Sequence, residues 1–336
     1  MTPAADIAPR LDVERGGRVL GLAAGNLGGS AEILLKIALG AAAEEGAQVS
    51  LVHLSDLQLP TRPVGPGQAA GNDDGAWLWD HVMETDGLIV SAPIYSRTIP
   101  GNLKLVADRL SGPAADVAFA ESYRAMLEVG ETPPVAFPYD ERVFRPRVAG
   151  LIAVGGALTT QWKSLALPLM HQMMFSSHIA VADQLLVGGA GMPRSVVLDA
   201  RALVAAARVG RSVGSQLGRP FDEVEYRGEA GLCPLCHLSL IDIQGDDVQC
   251  ATCGARGELV VEDGAAAVRF DDPAGLACSV ISLAEKRAHF REVQETAQVQ
   301  GPFAGEIERR AAPYADFDPR ISPGARRDRV PEGFPG

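Results

Sequence analysis

The fold class follows from one stretch, Arg18-Val-Leu-Gly-Leu-Ala-Ala-Gly-Asn-Leu-Gly-Gly-Ser30. Its first seven residues are short and largely apolar, as expected of a parallel strand that is buried on both faces. A glycine-rich turn follows, and residues 31–45 then have the pattern of a helix. Where a strand leads through glycines into a helix, backbone N–H groups and the positive end of the helix converge, which favours the binding of an anion.

The turn indicates which anion fits. It has neither the lysine–serine pair of a P-loop nor a Gly-x-Gly-x-x-Gly fingerprint, so a triphosphate and a dinucleotide are disfavoured and a single phosphate remains. The ordinary alternative, a βα turn with a capped helix, stays open at this point. The candidate phosphate contacts are Gly25, Asn26, Gly28, Gly29 and Ser30.

Working outward, strands and helices alternate through residue 220. Strands are predicted at 18–24, 47–54, 87–92, 148–154 and 179–186, and helices at 31–45, 77–84, 102–110, 162–175 and 198–217. This alternation predicts a doubly wound parallel sheet with helices on both faces. Five strands favour the flavodoxin-like order for the domain 17–220. Residues 1–16 are an N-terminal extension.

One connection is unusually long. Residues 112–147, between the third helix and the fourth strand, contain five prolines together with Tyr123, Phe137, Tyr139 and Phe144. Long loops of this kind are often functional. The aromatic content predicts an ordered lid or an interface.

The cysteines define a second module. Cys233, Cys236, Cys250 and Cys253 form two Cys-x-x-Cys pairs with thirteen residues between them, which is the pattern of a four-sulfur metal site. We predict a zinc-ribbon β-hairpin module at 229–270. Zinc is favoured over iron, because rubredoxin-like centres usually separate their pairs more widely. A helix at 279–298 and an extended Pro/Gly-rich tail at 301–336 complete the chain.

Composition excludes other classes. Lys and Arg number 30 against 42 Asp and Glu, a net charge of −12 that disfavours nucleic acid and anionic membranes as partners. The start of the chain has no apolar run typical of a signal peptide, and no stretch is apolar enough to span a membrane. Together with paired thiols, these features predict a cytoplasmic protein.

Three segments together resemble the NADPH-dependent FMN reductase family, including its iron–sulfur flavoprotein relatives. They are residues 19–36, residues 86–110 with Pro93-Ile-Tyr95, and residues 153–157. The resemblance covers roughly 17–215. It implies FMN contacts at Pro93, Ile94, Tyr95, Ser96, Gly155, Gly156 and Ala157.

The chain departs from the family pattern at two places. The family's first loop is commonly Gly-Ser-Pro-Arg, whereas this chain has Ala24-Gly-Asn-Leu27, so the phosphate depends more on backbone N–H groups. The loop at 57–68 lacks the cysteines with which some relatives hold a cluster, so that cluster is expected to be absent.

Catalytic residues are the least defined. Tyr95 is a candidate to pack on the flavin ring or to enter the substrate pocket, with an interface role as the alternative. His171 and His178 are candidate proton donors, although histidines at a helix end are more often structural. The flavin carries the difficult chemistry, so no catalytic triad is expected.

The resulting hypothesis is an FMN-dependent oxidoreductase. Hydride would pass from NAD(P)H via FMN to a small conjugated acceptor such as a quinone, a flavin or another aromatic, with the insertion indicating a dedicated substrate. The alternative is a flavodoxin-like electron-transfer protein whose zinc ribbon docks a partner protein. The resemblance also implies a homodimer or homotetramer.

Overall fold

The computed structural model describes residues 16–61, 73–111, 115–131, 139–245, 247–316 and 319. The predicted extension 1–16 therefore lies almost wholly outside the described residues, as do parts of the insertion and of the tail. The chain divides into two compact units, Met1–Ala288 and His289–Gly336.

The first unit contains the predicted parallel sheet. Its strands lie in the order β2-β1-β3-β4-β5, with all four pairs parallel. The strands are β1 Arg18–Ala23, β2 Gln48–His53, β3 Gly87–Pro93, β4 Val148–Val154 and β5 Ala180–Val187. The flavodoxin-like doubly wound prediction is confirmed.

In the described part of the chain, six α-helices accompany this sheet. They are α1 Ser30–Glu44, α2 Gly75–Met83, α3 Gly101–Leu110, α4 Val117–Glu128, α5 Ala166–Phe175 and α6 Ala200–Gly214. Helices α1 and α6 cover one face, while α2, α3 and α5 cover the other, and each face has its own apolar core. At the crossing of α1 and α6, a Cβ atom on Gly210 would lie 1.9 Å from the Ala38 carbonyl oxygen, so only glycine permits this approach.

The described parts of the insertion lie at the amino-terminal edge of the sheet. Arg142 there donates hydrogen bonds to Asp80, Glu84 and Asp140, and the Val117 N–H donates to the Ser176 carbonyl just before β5. The glycine turn lies at the opposite edge, where β1 ends. The described residues thus give no support to the lid hypothesis, and the interface hypothesis stays a prediction.

The cysteine module is larger than the predicted hairpin. It forms a four-stranded antiparallel sheet in the order β6-β7-β8-β9, from β6 Ile241–Gln244, β7 Asp247–Cys250, β8 Arg256–Glu262 and β9 Ala265–Arg269. The short helix α7, Pro273–Ala277, follows. The additional hairpin turns at Asp263 and Gly264, which both have positive φ, as a two-residue turn requires.

The second unit begins within α8, Leu283–Gln300, which matches the helix predicted at 279–298. The prediction of an extended tail from residue 301 is wrong for residues 304–316, which form α9, Ala304–Asp316. Glu306 pairs with Arg309 and Arg310 one turn later, and such pairs stabilise a helix. Within the described ranges, no helix combines the length and apolar character needed to cross a bilayer.

Candidate functional site

Three loops meet at the carboxyl-terminal edge of the parallel sheet. The Ile94 N–H, after β3, donates to the Val154 carbonyl at 2.8 Å, and the Gly155 N–H, after β4, donates to Val187 at 3.0 Å. After β1, Gly25 lies so close to Pro93 that a Cβ atom there would be 3.0 Å from the proline ring. The sequence-predicted segments 25–30, 93–96 and 155–157 are therefore neighbours, at the edge where such sheets bind ligands.

The glycine turn is a compact backbone cradle. Gly28 has a φ of 66°, and a Cβ atom on Gly29 would lie 2.9 Å from the Asn26 carbonyl oxygen. Gly29 is the N-cap of α1, no side chain caps the helix, and Ser30 is its first helical residue. The N–H groups of the first helical turn have no intrahelical acceptor and are available to an anion.

A buried carboxylate that the sequence reasoning missed supports this turn. The Gly28 N–H donates to Glu32 Oε2 at 2.6 Å, and Lys36 forms an ion pair with the same side chain. The hydrogen bond from Lys36 is the main reason why the pKa of Glu32 is below its usual range. The available signal was a glutamate three residues after the N-cap, the position from which a side chain reaches back to the cap.

The loop after β3 is a tight turn. Tyr95 and Thr98 exchange two backbone hydrogen bonds of 2.9 Å, and Ser96 and Arg97 between them have φ values of 47° and 76°. Non-glycine residues adopt this region rarely, and such strain often accompanies functional sites. Arg97 Nε donates to the Gln161 carbonyl at 2.7 Å and so ties the loop after β3 to the loop after β4.

The loop after β4 is held between its neighbours. A Cβ atom on Gly155 would lie 3.2 Å from Ile94, and one on Gly156 would lie 3.3 Å from Gly191 Cα. The Gly155 N–H is already bonded to Val187. Among the described residues, the N–H groups of Gly156 and Ala157 have no hydrogen-bond acceptor, so they can donate to the polar edge of a flavin.

Large apolar side chains are exposed on these same loops. Tyr95 is 49% exposed, and four others on the connections of this edge are more so. They are Leu27, Leu158, Trp162 and Met192. Exposed apolar groups next to available N–H donors suit a flat, partly polar ring system, and FMN fits this arrangement of residues.

His171 and His178 do not reach this edge. His171 lies in α5 beneath the cysteine module, where its Nε2 contacts Gln184 Oε1 at 2.8 Å, and burial lowers its pKa to about 4. His178 lies at the amino-terminal edge, stacked on Phe221 at 3.8 Å, and burial lowers its pKa to about 3. Both are neutral near pH 7, so the structure gives no support to a role as proton donors to a flavin.

The four paired cysteines form a candidate metal centre. Cys233, Cys236, Cys250 and Cys253 are at most 1% exposed, and their sulfurs all lie within 4.8 Å of one another. Two Sγ–Sγ distances are 3.5 and 3.6 Å. Tetrahedral zinc with Zn–S bonds of about 2.3 Å requires sulfurs about 3.8 Å apart, so the geometry fits.

The two cysteine turns have the same backbone. His237 after one pair and Gly254 after the other have φ values of 57° and 78°, and their N–H groups donate to Cys233 and Cys250, the first cysteine of each pair. The His237 ring is stacked on Tyr226 at 3.6 Å, outside the sulfur set. Four thiols are thus a complete ligand set.

Fold and site together define a flavin-dependent protein of the flavodoxin-like class. Residues 18–190 match the NADPH-dependent FMN reductase family. The chain belongs to this family, and it is an NAD(P)H-dependent FMN oxidoreductase. The pure electron-carrier alternative is therefore not favoured.

The similarity to two other proteins covers more of the chain than the family match does. The chain is 36% identical over 300 residues to flavone synthase cfoJ from Aspergillus candidus, covering 84% of this chain and 91% of that protein. A solved structure described as a flavone reductase is 24% identical, covers 91% of this chain and 99% of its own, and superposes with a TM-score of 0.75. The second likeness shows that the fold is shared across almost the whole chain.

Proposed function

We propose that this oxidoreductase acts on flavones or closely related flat aromatic enones. The observation that carries the proposal is the 36% identity, over most of both chains, to a protein named flavone synthase, a name that makes a flavone one of the compounds in that protein's reaction. The reducing direction proposed for this chain follows from its family of NADPH-dependent reductases. The exposed apolar side chains Leu27, Tyr95, Leu158 and Trp162 at the candidate site suit an aromatic acceptor of this kind.

The proposed reaction balances without a further co-reactant. A flavone has a carbon–carbon double bond conjugated with a ketone. One NAD(P)H and one proton reduce that bond, giving a flavanone and NAD(P)⁺, with the hydride added to the carbon remote from the ketone and the proton to the adjacent carbon. Bound FMN supplies the hydride-accepting and hydride-donating chemistry between the two substrates.

In this proposal, the residues of the chain bind the flavin and orient the acceptor beside it. The start of α1 and the turn Gly25–Ser30 would hold the flavin phosphate through the backbone N–H groups that remain available, since those of Gly28 and Gly29 already donate to Glu32 and Asn26. Pro93–Ser96 would lie along one side of the ring system, and Gly156 and Ala157 would donate to its polar edge. Tyr95, on its strained turn, would contact the acceptor.

The cysteine cluster has a separate role in the proposal. We assign to Cys233, Cys236, Cys250 and Cys253 a zinc ion that stabilises the four-stranded module. Because these thiols are free and buried, a reducing compartment such as the cytoplasm suits the protein. A homodimer or homotetramer remains part of the proposal, supported by the insertion at the amino-terminal edge and by its half-buried cluster of aromatic rings.

The test is a spectrum of the purified protein followed by an acceptor panel. A flavin spectrum is expected, with NAD(P)H consumed when a flavone is added and the matching flavanone formed, as measured by absorbance and mass spectrometry. We expect kcat/KM for the flavone to exceed that for benzoquinone or free riboflavin by about tenfold, the range that differential transition-state binding supplies.

Two outcomes contradict the proposal at different levels. Faster turnover of benzoquinone or riboflavin than of any flavone would overturn the acceptor class and leave the family intact. A protein without flavin, which also cannot be reconstituted with FMN, would overturn the assignment of the site itself.

A further inference from the structure

The phosphate turn lacks a cation of its own. Residues 24–30 contain neither lysine nor arginine. Glu32 instead places a buried negative charge behind the turn and accepts the Gly28 N–H, so that this donor is not available to a ligand. Lys36 is already paired with Glu32 and offsets that charge. A further positive group at this turn would stabilise a doubly charged phosphate that the backbone N–H groups hold.

Arg194, which follows β5, provides a guanidinium at the required place. A Cβ atom built on Gly28 would lie 3.5 Å from Arg194 Nη2 and 3.8 Å from Nε. Two N–H donors of the planar guanidinium therefore lie next to the turn, and with this arrangement arginine binds two oxygens of a phosphate. Within the described ranges, no carboxylate pairs with this side chain.

The backbone at Arg194 is held in an unusual conformation. Its φ is 65°, in the left-handed region that non-glycine residues seldom adopt. The following 3₁₀ turn, Ser195–Leu198, anchors it, because Val196 is 2% exposed and packs in the core beside α1 and α6. The Val197 N–H donates to the Arg194 carbonyl. A strained residue fixed by its surroundings and presenting an unpaired charge indicates a binding role.

We propose that Arg194 binds the phosphate monoester of FMN and makes the site prefer FMN over riboflavin. This inference rests on the proposed placement of the flavin. The same chemistry would recognise the 2′-phosphate of NADPH. We assign the flavin phosphate, because Arg194 faces the glycine turn at the start of α1.

The test compares flavin affinities of wild type, Arg194→Ala and Arg194→Lys. The apoprotein is titrated with FMN or riboflavin, and binding is followed by flavin fluorescence. We expect Arg194→Ala to lower the affinity for FMN about tenfold, because hydrogen bonds between charged groups are among the stronger ones. Riboflavin affinity should stay within about twofold, because it has no phosphate. Arg194→Lys should restore part of the loss, and added salt should weaken FMN binding more in wild type than in Arg194→Ala.

Arg211→Ala is the matched control. It removes the same charge from an exposed residue in the last turn of α6, at the opposite edge of the sheet, and should leave both flavin affinities unchanged. The KM ratio of NADPH to NADH provides the second arm and should be the same in wild type and Arg194→Ala.

Each other result has a distinct meaning. Equal losses of affinity for FMN and for riboflavin in Arg194→Ala would show a structural role for the residue and overturn the inference. A changed NADPH to NADH ratio with unchanged FMN affinity would assign Arg194 to the nicotinamide phosphate instead. Wild-type protein that binds neither flavin would overturn the proposed function, and the inference with it.

Discussion

The cysteine module and the carboxyl-terminal edge of the parallel sheet offer ligands in opposite ways. In the module, four side chains at most 1% exposed converge on one point. At the edge, the groups that face a ligand are backbone N–H groups on glycine loops, with Leu27 65% exposed beside them. The sheet positions the edge through its own hydrogen bonds, whereas the four buried thiols converge on a point that, in our proposal, a metal ion occupies. Metal binding in the module is thus expected to be part of folding, and flavin binding is not.

The largest effect is expected when a thiol of the cluster is removed. Cys236→Ser should lose the metal and unfold the module, because three buried thiols cannot complete a tetrahedral site. Zinc content per chain and thermal unfolding by circular dichroism measure this. Cys278→Ser is the matched control, since Cys278 lies outside the cluster. A Cys236→Ser protein that retains one zinc and melts like wild type would contradict the contrast drawn above.

The next effect concerns the contact between the cysteine module and β5 of the parallel sheet. Gln184 of β5 donates to the carbonyls of Cys236 and His237 at 3.1 and 3.0 Å and contacts His171 through its oxygen. Gln184→Leu leaves these buried groups unpaired, and we expect the free energy of unfolding to fall by about 3 kcal/mol. Urea denaturation measures the change.

Gln172→Leu, at an exposed position of α5, is the control for Gln184→Leu. It removes the same amide without a buried partner, so the midpoint should stay close to that of wild type. If the urea midpoint of Gln184→Leu stayed as close to wild type as that of the control, the contact between the cysteine module and β5 would contribute nothing to stability. The cysteine module and the parallel sheet would then be energetically independent.

A smaller effect depends on pH. Burial, with Lys286 and Arg287 nearby, lowers the pKa of His178 to about 3, whereas an unfolded histidine has a pKa near 6.5. The native state therefore binds fewer protons, so stability falls as pH drops below about 6.5 and the loss continues towards pH 3. Between pH 7 and pH 5 this contributes about 2 kcal/mol.

His178→Asn should remove that part of the acid sensitivity, because asparagine tolerates the φ of 50° at this position and does not titrate. Urea midpoints at the two pH values measure it. The exposed His289 provides the control His289→Asn, which should keep the acid sensitivity of wild type. An unchanged pH dependence in His178→Asn would mean that other groups carry it.

The same contrast explains what the sequence could predict. The apolar runs define the parallel strands closely, and β4 has the predicted bounds Val148–Val154. The cysteine ligands are visible because side chains at fixed spacing bind the metal. The second hairpin of the module was also within reach, since Asp263-Gly264 is a two-residue turn signal between alternating segments.

What the sequence could not provide depends on long-range placement. Arg194 and Gly28 are 194 − 28 = 166 residues apart, and no local pattern predicts that they meet. His171 and His178 were candidates because of the residue type, yet the direction of α5 and the packing of the cysteine module bury them elsewhere. The glycine turn marked the phosphate site by residue type, but backbone donors beside the ring system leave no such signal, so the contacts at 93–96 and 155–157 came from the family resemblance.

The smallest predicted effect tests whether the exposed edge contacts the acceptor. Tyr95→Ala should lower kcat/KM for the acceptor about fivefold, because aromatic contacts of a half-exposed ring contribute about 1 kcal/mol, while FMN affinity stays within twofold. Tyr95→Phe should retain most of the activity if packing is what matters, and an equal loss in Tyr95→Phe would assign the role to the hydroxyl. Tyr314→Ala, an exposed tyrosine of the second unit, is the control. If Tyr95→Ala weakened FMN as much as turnover, Tyr95 would belong to the flavin-binding surface, and the acceptor would be bound by the loops of Leu158 and Trp162 instead.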